Sequence, residues 1–575
     1  MVLVAKKLVD RLVKHGVKKV FGYPGGAILP VLDALHGRKD IQYVLTRTEL
    51  GAGFMAQGYA RSQWGSLGVV MTTSGPGALN IMTSLQDALS DGTPLLALTG
   101  QVSTAVLGTD AFQEADVVGV SRSCTKWNTM IRDGSLASET VTQAVRTVFD
   151  GRWGPVLLDL PKNVMSTMLE ETKGVEGPCL PLSAVADKIE SSIVAADIMR
   201  LILRAKRPVI LAGHGVLQAG PDAVAHLQHL SLKYDIPVTT TLLGLGAYNE
   251  SLGLSLKMVG MHGSYYANMA VQNCDLLLNF GSRFDDRITG LPSKFAPLAK
   301  IVHVDICAKN INKVVKTPYF INNSCGPVLH ELALMDPYDY QFRRPLWTGL
   351  IDKWRSVGFS WPKDRQALQG REVIAMLNTL LKKQTTIVAD VGAHQMWAAQ
   401  FIDYDYGRVR FITSGGLGSM GFAVPAAIGV TMGGAGGTVV CICGDGGFTM
   451  SFVELLTAVE NKVNVKILVI NNSAQLMVKM WQDKFYDKRH VGVVMNNPPF
   501  EKVCEAMGCK TLRIDSRVGL SAVLQEFLDW SDGPIVANVI TDSAEAVLPM
   551  VSPGKALDDM IIAESDDQFS GDAPC

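Results

Sequence analysis

The sequence predicts an α/β protein built from three doubly wound parallel-sheet domains. Apolar β-type runs alternate with amphipathic helical patterns along nearly the whole chain, as in parallel sheets with helices on their faces. At 575 residues the chain is too long for one core, since single cores rarely exceed roughly 250 residues. Two of the runs end in glycine- or asparagine-bearing loops, and the carboxyl edge of a parallel sheet is where such folds bind ligands.

The first unit, residues 1–172, opens on a helical pattern at 4–13 and continues with strand runs at 19–21, 41–45, 68–71, 95–98 and 156–160. A proline- and glycine-bearing stretch near 174–181 reads as a linker. The second unit, 190–350, has strand runs at 209–212, 276–280 and 301–305. The third, 370–550, starts with a strand at 386–391. Residues 551–575 form an arm and tail, polar and acidic from 564 onward and expected to be disordered.

Composition narrows the function. With 47% hydrophobic residues, 19% charged residues and a net charge of −1, nothing favours nucleic acid or an anionic membrane as partner. No apolar stretch reaches the length of a membrane span, and no secretory h-region opens the chain. The ten cysteines lack paired-ligand spacing. Cys441-x-Cys443, inside a predicted buried strand, reads as a poor metal or disulfide pair, so reduced thiols and an intracellular setting are expected.

Two segments carry the chemistry. Cys443-Gly444-Asp445-Gly446-Gly447 closes the run 438–442, and Asn471-Asn472 closes the run 465–470, with Asn472 lying 27 residues beyond Asp445. Residues 448–459 between them read as an amphipathic helix. This strand–loop–helix–strand unit puts Asp445 and Asn472 at the same edge of a parallel sheet. A carboxylate and an amide oxygen suit Mg²⁺, a hard cation usually held by few protein oxygens plus a phosphate. Gly446 and Gly447 let a diphosphate approach the backbone. A glycine-rich turn with a capping aspartate is the bland alternative, and the double asparagine at this spacing argues against it.

A Gly-Asp-Gly followed after this interval by Asn-Asn resembles the cofactor motif of thiamine diphosphate (ThDP) enzymes. The resemblance extends over nearly the whole chain to the catalytic subunits of acetohydroxyacid synthase (acetolactate synthase), especially the fungal ones. It rests on Phe21-Gly-Tyr-Pro-Gly-Gly-Ala27, Thr73-Ser-Gly-Pro-Gly77, Gly108-Thr-Asp-Ala-Phe-Gln-Glu-Ala-Asp116, Arg283-Phe-Asp-Asp-Arg287, His394-Gln-Met-Trp-Ala-Ala-Gln400, Thr413-Ser-Gly-Gly-Leu-Gly418 and Met477-Val-Lys-Met-Trp481. The implied reaction decarboxylates pyruvate with ThDP and transfers the two-carbon unit to pyruvate or 2-oxobutyrate. The products are 2-acetolactate or 2-aceto-2-hydroxybutyrate, for branched-chain amino acid biosynthesis.

The resemblance assigns roles residue by residue. Glu49, in Arg47-Thr-Glu-Leu-Gly-Ala-Gly53, would read in isolation as a helix cap or dipole partner. It matches the carboxyl group that hydrogen-bonds the cofactor's aminopyrimidine ring and handles its proton. Gln113 and Lys162 join it as candidate catalytic residues, with Tyr23, Pro24, Pro76 and Asn80 on the same side of the site. Gly392, His394, Gln395, Gly418, Gln475 and Met477 match the cofactor pocket. Met420 matches the apolar wedge that bends ThDP, although a methionine there is otherwise ordinary core filler. Gly444, Asp445, Gly446, Gly447 and Asn472 match the diphosphate and metal site, with the backbone carbonyl of Ala474 as third metal ligand. A structural FAD is implied at Arg152, Gly213, Gly215, Thr241, Leu242, His262, Gly281, Arg283, Asp285 and Asp305. Gly213-His-Gly215 is not itself a dinucleotide fingerprint. Ser103, Phe112, Met261, Asp286, Arg287, Leu476, Val478 and Trp481 match the channel for substrates and inhibitors. There Arg287 would grip the carboxylate of the second 2-oxoacid, and Trp481 would favour 2-oxobutyrate. The family places the glutamate and the metal motif of one site on different subunits, which implies a homodimer or higher homo-oligomer; a regulatory subunit is a further partner. Relatives from fungi and plants carry organellar presequences, whereas residues 4–13 here already read as the first helix of the folded domain. A mitochondrial location therefore rests on resemblance alone.

Five departures stand out. The family's His-Glu-Gln is Thr48-Glu49-Leu50, its Gly-Gln-Val-Pro is Gly100-Gln-Val-Ser103, and its Glu-Gln-Gly-Met-Val is Ala474-Gln-Leu-Met-Val478. Its Gly-Asp-Ala-Ser is Gly444-Asp-Gly-Gly447, and the Gly-Asp-Ala after the central domain's last strand is Asn323-Ser324-Cys325, which bears on flavin binding. The cofactor machinery is retained while the pocket and its entrance differ, as in an inhibitor-tolerant copy. Two alternatives stay open: a ThDP-dependent carboligase with another acceptor, and a low-activity cofactor-binding assembly partner.

Overall fold

The computed structural model describes residues 1–170, 190–191, 194–335, 342–357, 366–381 and 383–562. The linker read near 174–181 and the tail from 564 onward lie outside the described residues.

Three parallel sheets follow one another along the chain. The first orders its strands Gln42–Leu45, Lys19–Gly22, Gly68–Thr72, Leu95–Gln101, Val156–Pro161, Trp127–Met130, which is 2-1-3-4-6-5 counted in chain order. The third runs Val409–Thr413, Thr385–Ala389, Thr438–Gly444, Lys466–Asn471, Ile535–Ile540, Lys510–Ile514, again 2-1-3-4-6-5. The two domains therefore share one topology, which no repeated sequence segment announces. The middle sheet is different. Its six parallel strands run Ser255–Met258, Val238–Thr240, Pro208–Ala212, Leu276–Phe280, Lys300–Val304, Tyr319–Asn322, in the order 3-2-1-4-5-6, with Glu190–Ser191 added antiparallel at one edge.

The sequence reasons for these elements are local. Strands such as Leu276–Phe280 and Val156–Pro161 are buried along their whole length, so they read as continuous apolar runs rather than alternating ones. Helix Val4–Lys14 buries Val4, Ala5, Leu8, Val9 and Leu12 on one face and places Arg11 and Lys14 in its last turn, where cations complement the helix dipole. Cys441 and Cys443, two apart on one strand, enter the same apolar cluster. All eight cysteines among the described residues are free.

Two expectations shift. The predicted helix 448–459 starts earlier, at Asp445, and is broken: Asp445–Ser451 and Leu455–Glu460 flank a 3₁₀ turn at Phe452–Glu454. At that turn the Glu454 carboxylate accepts hydrogen bonds from the amides of Arg47 and Thr48 (3.0 and 2.9 Å) and the Thr48 hydroxyl (2.9 Å), contacts that periodicity does not reveal. The strand predicted at 386–391 ends at Ala389, because the Asp390 carboxylate turns to the amides of Val391, Gly421 and Ala423.

The first and third domains share one core. A single apolar cluster contains Phe21, Phe54 and Val70 from the first and Phe422, Ile428 and Val469 from the third. Across it, helix Glu49–Ser62 crosses helix Ala423–Met432 at backbone contact. A Cβ on Gly58 would lie 2.0 Å from the Ala426 carbonyl oxygen, and one on Gly429 would lie 1.9 Å from that of Met55. Gly429→Ala should therefore force the helices apart and cost about 1–3 kcal/mol, read as a lower thermal midpoint. Unchanged stability would show that the crossing can widen freely.

Candidate active site

A cavity of about 1000 Å³ opens where the second and third sheets present their carboxyl edges. This is the upper end of the ordinary range for ligand pockets. Strand order in the third sheet reverses on either side of Thr385–Ala389, which is where open parallel sheets bind ligands. The carboxyl ends of Thr385–Ala389 and Thr438–Gly444, with the first turns of the helices that follow them, supply the walls there, including Gly392, His394, Gln395, Gly444, Asp445, Gly446 and Gly447.

Asp445 is 2% exposed. Its carboxylate accepts from the Gly446 amide at 3.1 Å and from Asn497 Nδ2 at 2.7 Å, and burial raises its pKa. Asn472 follows strand Lys466–Asn471, and its Oδ1 accepts from the Ala474 amide at 3.1 Å. Ser473 between them sits at φ +55°, a left-handed conformation that costs energy for a side-chain-bearing residue. One buried carboxylate, one amide oxygen and the Ala474 carbonyl at the cavity wall make an all-oxygen donor set with lone pairs to spare. That set fits Mg²⁺. No cluster of three His, Cys, Asp or Glu suited to a metal occurs among the described residues.

The glycines here answer to packing. A Cβ on Gly446 would meet Gln475 Nε2 at 2.4 Å, and one on Gly447 would lie 2.9 Å from the Asp390 carboxyl carbon. Burial drives the His394 pKa down to about 3, so the ring is neutral, and its Nε2 accepts from the Gly444 amide at 3.2 Å. Gln395 Nε2 donates to the Thr413 hydroxyl at 2.7 Å. Gly418, Met420, Gln475, Leu476 and Met477 complete this end of the cavity.

Three buried carboxylates hold the loop that carries Gly418 and Met420. Asp87 accepts from the Ser414 hydroxyl, Asp91 accepts from the Gly415 and Gly416 amides at 3.0 and 2.6 Å, and Asp390 takes the far end at Gly421 and Ala423. Two of the three come from the first domain. Arg61 ties them in, pairing with Asp91 at 2.9 Å and donating to the Thr413 carbonyl at 2.6 Å.

The other end of the cavity lies on the middle sheet. Its 3-2-1-4-5-6 order reverses between Pro208–Ala212 and Leu276–Phe280, the crevice that binds dinucleotides in this topology. Gly213 and Gly215 follow one of these strands and Gly281 the other. The Gly215 amide donates to the Gly281 carbonyl at 3.1 Å, and a Cβ on Gly281 would lie 2.5 Å from the Gly215 Cα. Arg152 and Arg283 both donate to the Ser90 carbonyl, at 2.5 and 3.1 Å, which sets two cations side by side on the wall. Gly215, Thr241, Leu242, His262, Asp285 and Asp305 line the same space. The topology and the cation pair fit a dinucleotide, a signal that the motif Gly213-His-Gly215 lacks.

Between the two ends, Met261, Asp286, Arg287, Val478 and Trp481 line the cavity with Leu476. The Arg287 side chain is 64% exposed, and its nearest acid is Asp286 at 3.8 Å. Its guanidinium is open to an incoming carboxylate.

The remaining candidates gather elsewhere. Glu49 accepts from Asn80 Nδ2 at 3.1 Å. A Cβ on Gly77, beside Pro76, would lie 3.5 Å from the Glu49 carboxylate, and one on Gly75 would lie 2.8 Å from the Gln113 carbonyl oxygen. Gly25, beside Tyr23 and Pro24, abuts Thr73. Ser103 and Lys162 are joined through their neighbours, since Asn163 Nδ2 donates to the Thr104 hydroxyl at 2.8 Å. Phe112 is 89% exposed. None of Tyr23, Pro24, Glu49, Pro76, Asn80, Ser103, Phe112, Gln113 or Lys162 lines the cavity of its own chain. Sequence reading missed Asn497, Asp390, Glu454 and the Asp87–Asp91 pair. Only Asp390, an acid leaving a strand end before a glycine, carried a local signal.

Comparison with known proteins places this arrangement. The family models for thiamine pyrophosphate (thiamine diphosphate) enzymes match in order along the chain: the N-terminal TPP binding domain at residues 3–120, the central domain at 195–332 and the C-terminal TPP binding domain at 390–539. The fold and site are those of a ThDP-dependent enzyme. The mitochondrial acetolactate synthase of Schizosaccharomyces pombe is 43% identical, covering 97% of this chain and 86% of its own length. The mitochondrial catalytic subunit from Saccharomyces cerevisiae is 42% identical over 96% of this chain and 82% of its own. For the large subunit of Lactococcus lactis the figures are 39%, 96% and 95%. The chain belongs to the acetolactate synthase family.

The carboxylates under the Met420 loop make stability depend on pH. Burial, reinforced by Asp91, raises the Asp87 pKa to about 7. The folded protein therefore holds this proton more tightly than the unfolded chain, whose aspartates titrate near about 4. Stability contributed at this site falls as pH rises towards and through about 7. Asp87→Asn keeps an acceptor for Ser414 and removes the charge. The loss of thermal stability between about pH 6 and 8 should then be smaller than in the parent. An unchanged loss would show that Asp87 stays ionised across that range.

Proposed function

We propose that this protein is a working acetohydroxyacid synthase that uses ThDP, Mg²⁺ and a structural FAD, with its active sites shared between two copies of the chain. The observation that carries the reading is that Asp445 and Asn472, at the carboxyl ends of two neighbouring strands of the third sheet, line one cavity. When bound, ThDP supplies the electron sink for decarboxylating a 2-oxoacid. Asp445, Asn472 and the Ala474 carbonyl would hold the metal, with Gly446 and Gly447 leaving room for the diphosphate. Met420, which lines the cavity from the clamped loop, would bear on the bound cofactor. Glu49 of a second copy takes and returns a proton at its carboxylate, held in place by Asn80. Arg287 receives the acceptor's carboxylate, and Trp481 forms an apolar wall beside it.

Placement supports the shared-site reading: Glu49 and Gln113 lie off the cavity of their own chain, and the same part of the first domain exposes apolar side chains such as Leu79 and Phe112. Mitochondrial location and association with a regulatory subunit belong to the same reading, because fungal relatives are named as mitochondrial catalytic subunits. No helix among the described residues is long and apolar enough to cross a membrane.

The direct test is acetolactate formation from pyruvate with ThDP, Mg²⁺ and FAD, with and without 2-oxobutyrate and other acceptors. Two variants separate the roles. Glu49→Gln should lose most of kcat while still binding ThDP and Mg²⁺, since the amide keeps the shape but not the proton. Asp445→Ala should weaken metal and ThDP binding instead. Near-normal kcat in the first, or unchanged cofactor dependence in the second, would overturn the corresponding assignment.

The altered entrance supports inhibitor tolerance. Ser103 stands where the family has proline, which frees the backbone and removes a rigid apolar wall; Leu476, 7% exposed, narrows the space beside the cofactor. Ser103→Pro should raise sensitivity to a sulfonylurea-type inhibitor about tenfold or more, with pyruvate turnover nearly unchanged. Equal sensitivity before and after the change, matching that of an ordinary relative, would remove the protective role.

A further inference from the structure

The cavity ends in a rim of three aromatic rings that the reading above leaves without a task. Trp64 and Trp153 stand with ring centroids 6.2 Å apart and planes at 48°, and Phe149 meets Trp153 edge to face at 5.4 Å and 82°. All three line the cavity. Trp64 Nε1 donates to the Gln218 carbonyl at 2.8 Å, which fixes the indole, yet the residue is 50% exposed. The pair is tilted rather than stacked, so it leaves ring surface free for a third planar group.

The neighbourhood identifies that group. A Cβ on Gly220 would lie 3.1 Å from the Trp64 ring, and one on Gly326 would lie 3.5 Å from the Ala219 Cβ. Trp64 thus adjoins the turn that leads to Ser324 and Cys325. Arg152, next in sequence to Trp153, feels the charge of Asp305. Asp305 follows strand Lys300–Val304 and accepts from the Cys307 amide at 2.7 Å and from Asn310. Its carboxylate keeps lone pairs for further donors such as the hydroxyls of a ribose. Several polar groups at this end are already engaged within the protein, since Gln218 Nε2 donates to the Gly92 carbonyl and Asn310 Nδ2 to Asp305. The Ser324 hydroxyl already accepts from the Gly326 amide, and Cys325 is buried as a neutral thiol whose pKa burial raises.

We infer that the free ring surface of Trp64 and Trp153 packs against one face of the adenine ring of FAD, so that aromatic contact contributes to holding the base. The inference rests on the flavin reading of the middle domain. It places the adenosine half of the dinucleotide at the aromatic rim and the flavin half towards the end that carries Asp445. Preference for FAD over FMN, which lacks the adenosine, then comes from these two side chains.

The test measures binding by equilibrium dialysis, with flavin-stripped full-length protein titrated with FAD and, separately, with FMN. The parent should bind FAD more tightly than FMN. Trp64→Ala and Trp153→Ala should each weaken FAD binding about tenfold, as expected when an aromatic platform for a base is removed, and leave FMN binding unchanged. Trp64→Phe should stay close to the parent. Unchanged FMN binding also shows that the variants remain folded. FAD affinity unaltered in both alanine variants would overturn the inference and leave the flavin reading standing, as would equal losses for FAD and FMN. A parent that binds neither flavin would overturn both.

Discussion

Helices Glu49–Ser62 and Ala423–Met432 touch backbone to backbone, and that contact sets how the first domain stands against the third. Glycine at 58 and 429 allows it, and the apolar cluster around Phe54 and Phe422, whose rings meet at 5.3 Å, drives it. With the first and third domains locked this way, Arg61 and Arg410 reach across in opposite directions, each to main-chain carbonyls of the other domain. Thr48, at the start of the first helix, is held by Glu454. The Glu49 end of the helix is thereby committed to a position off the cavity of its own chain. Glu49 does not line the cavity that Asp445 and Asn472 line.

The second constraint is electrostatic. Asp87, Asp91 and Asp390 are withdrawn from water to hold a single loop, and backbone amides or hydroxyls repay part of the desolvation. Burial lifts Asp390 to about 6 and Asp87 to about 7, so their ionisation is sensitive to the surroundings of the loop bearing Met420. Rigidity there is consistent with a wedge that must press on a bound cofactor from a fixed direction. The first domain therefore acts on the cavity through its acids although its own candidate catalytic residues lie outside it.

Much of this was legible in the sequence. Continuous apolar runs ending in Gly444–Gly447 and Asn471-Asn472 placed the metal motif at a sheet edge, because parallel strands are buried on both faces and their loops emerge on one side. Arg287 and the sequence-distant group Leu476, Val478 and Trp481 line one cavity. Other features were not readable. The break at Phe452–Glu454 arises from bonds to Thr48 some 400 residues away in the chain, and Asn497 reaches Asp445 from a loop with no periodicity. The crevice of the middle domain was hidden for a different reason: its signal is strand order, which follows from topology, whereas Gly213-His-Gly215 alone says little.

The central claim is that two copies build each site together, and complementation tests it most directly. Glu49→Gln and Asp445→Ala chains, each inactive alone, are co-expressed with different affinity tags and the doubly tagged species is assayed for acetolactate formation. In a symmetric dimer with shared sites, one of the two sites in each mixed dimer receives Glu49 from one chain and Asp445 from the other. The mixed species should recover about half of the parent's activity. Mixed dimers that form and remain as inactive as either variant alone would contradict the account.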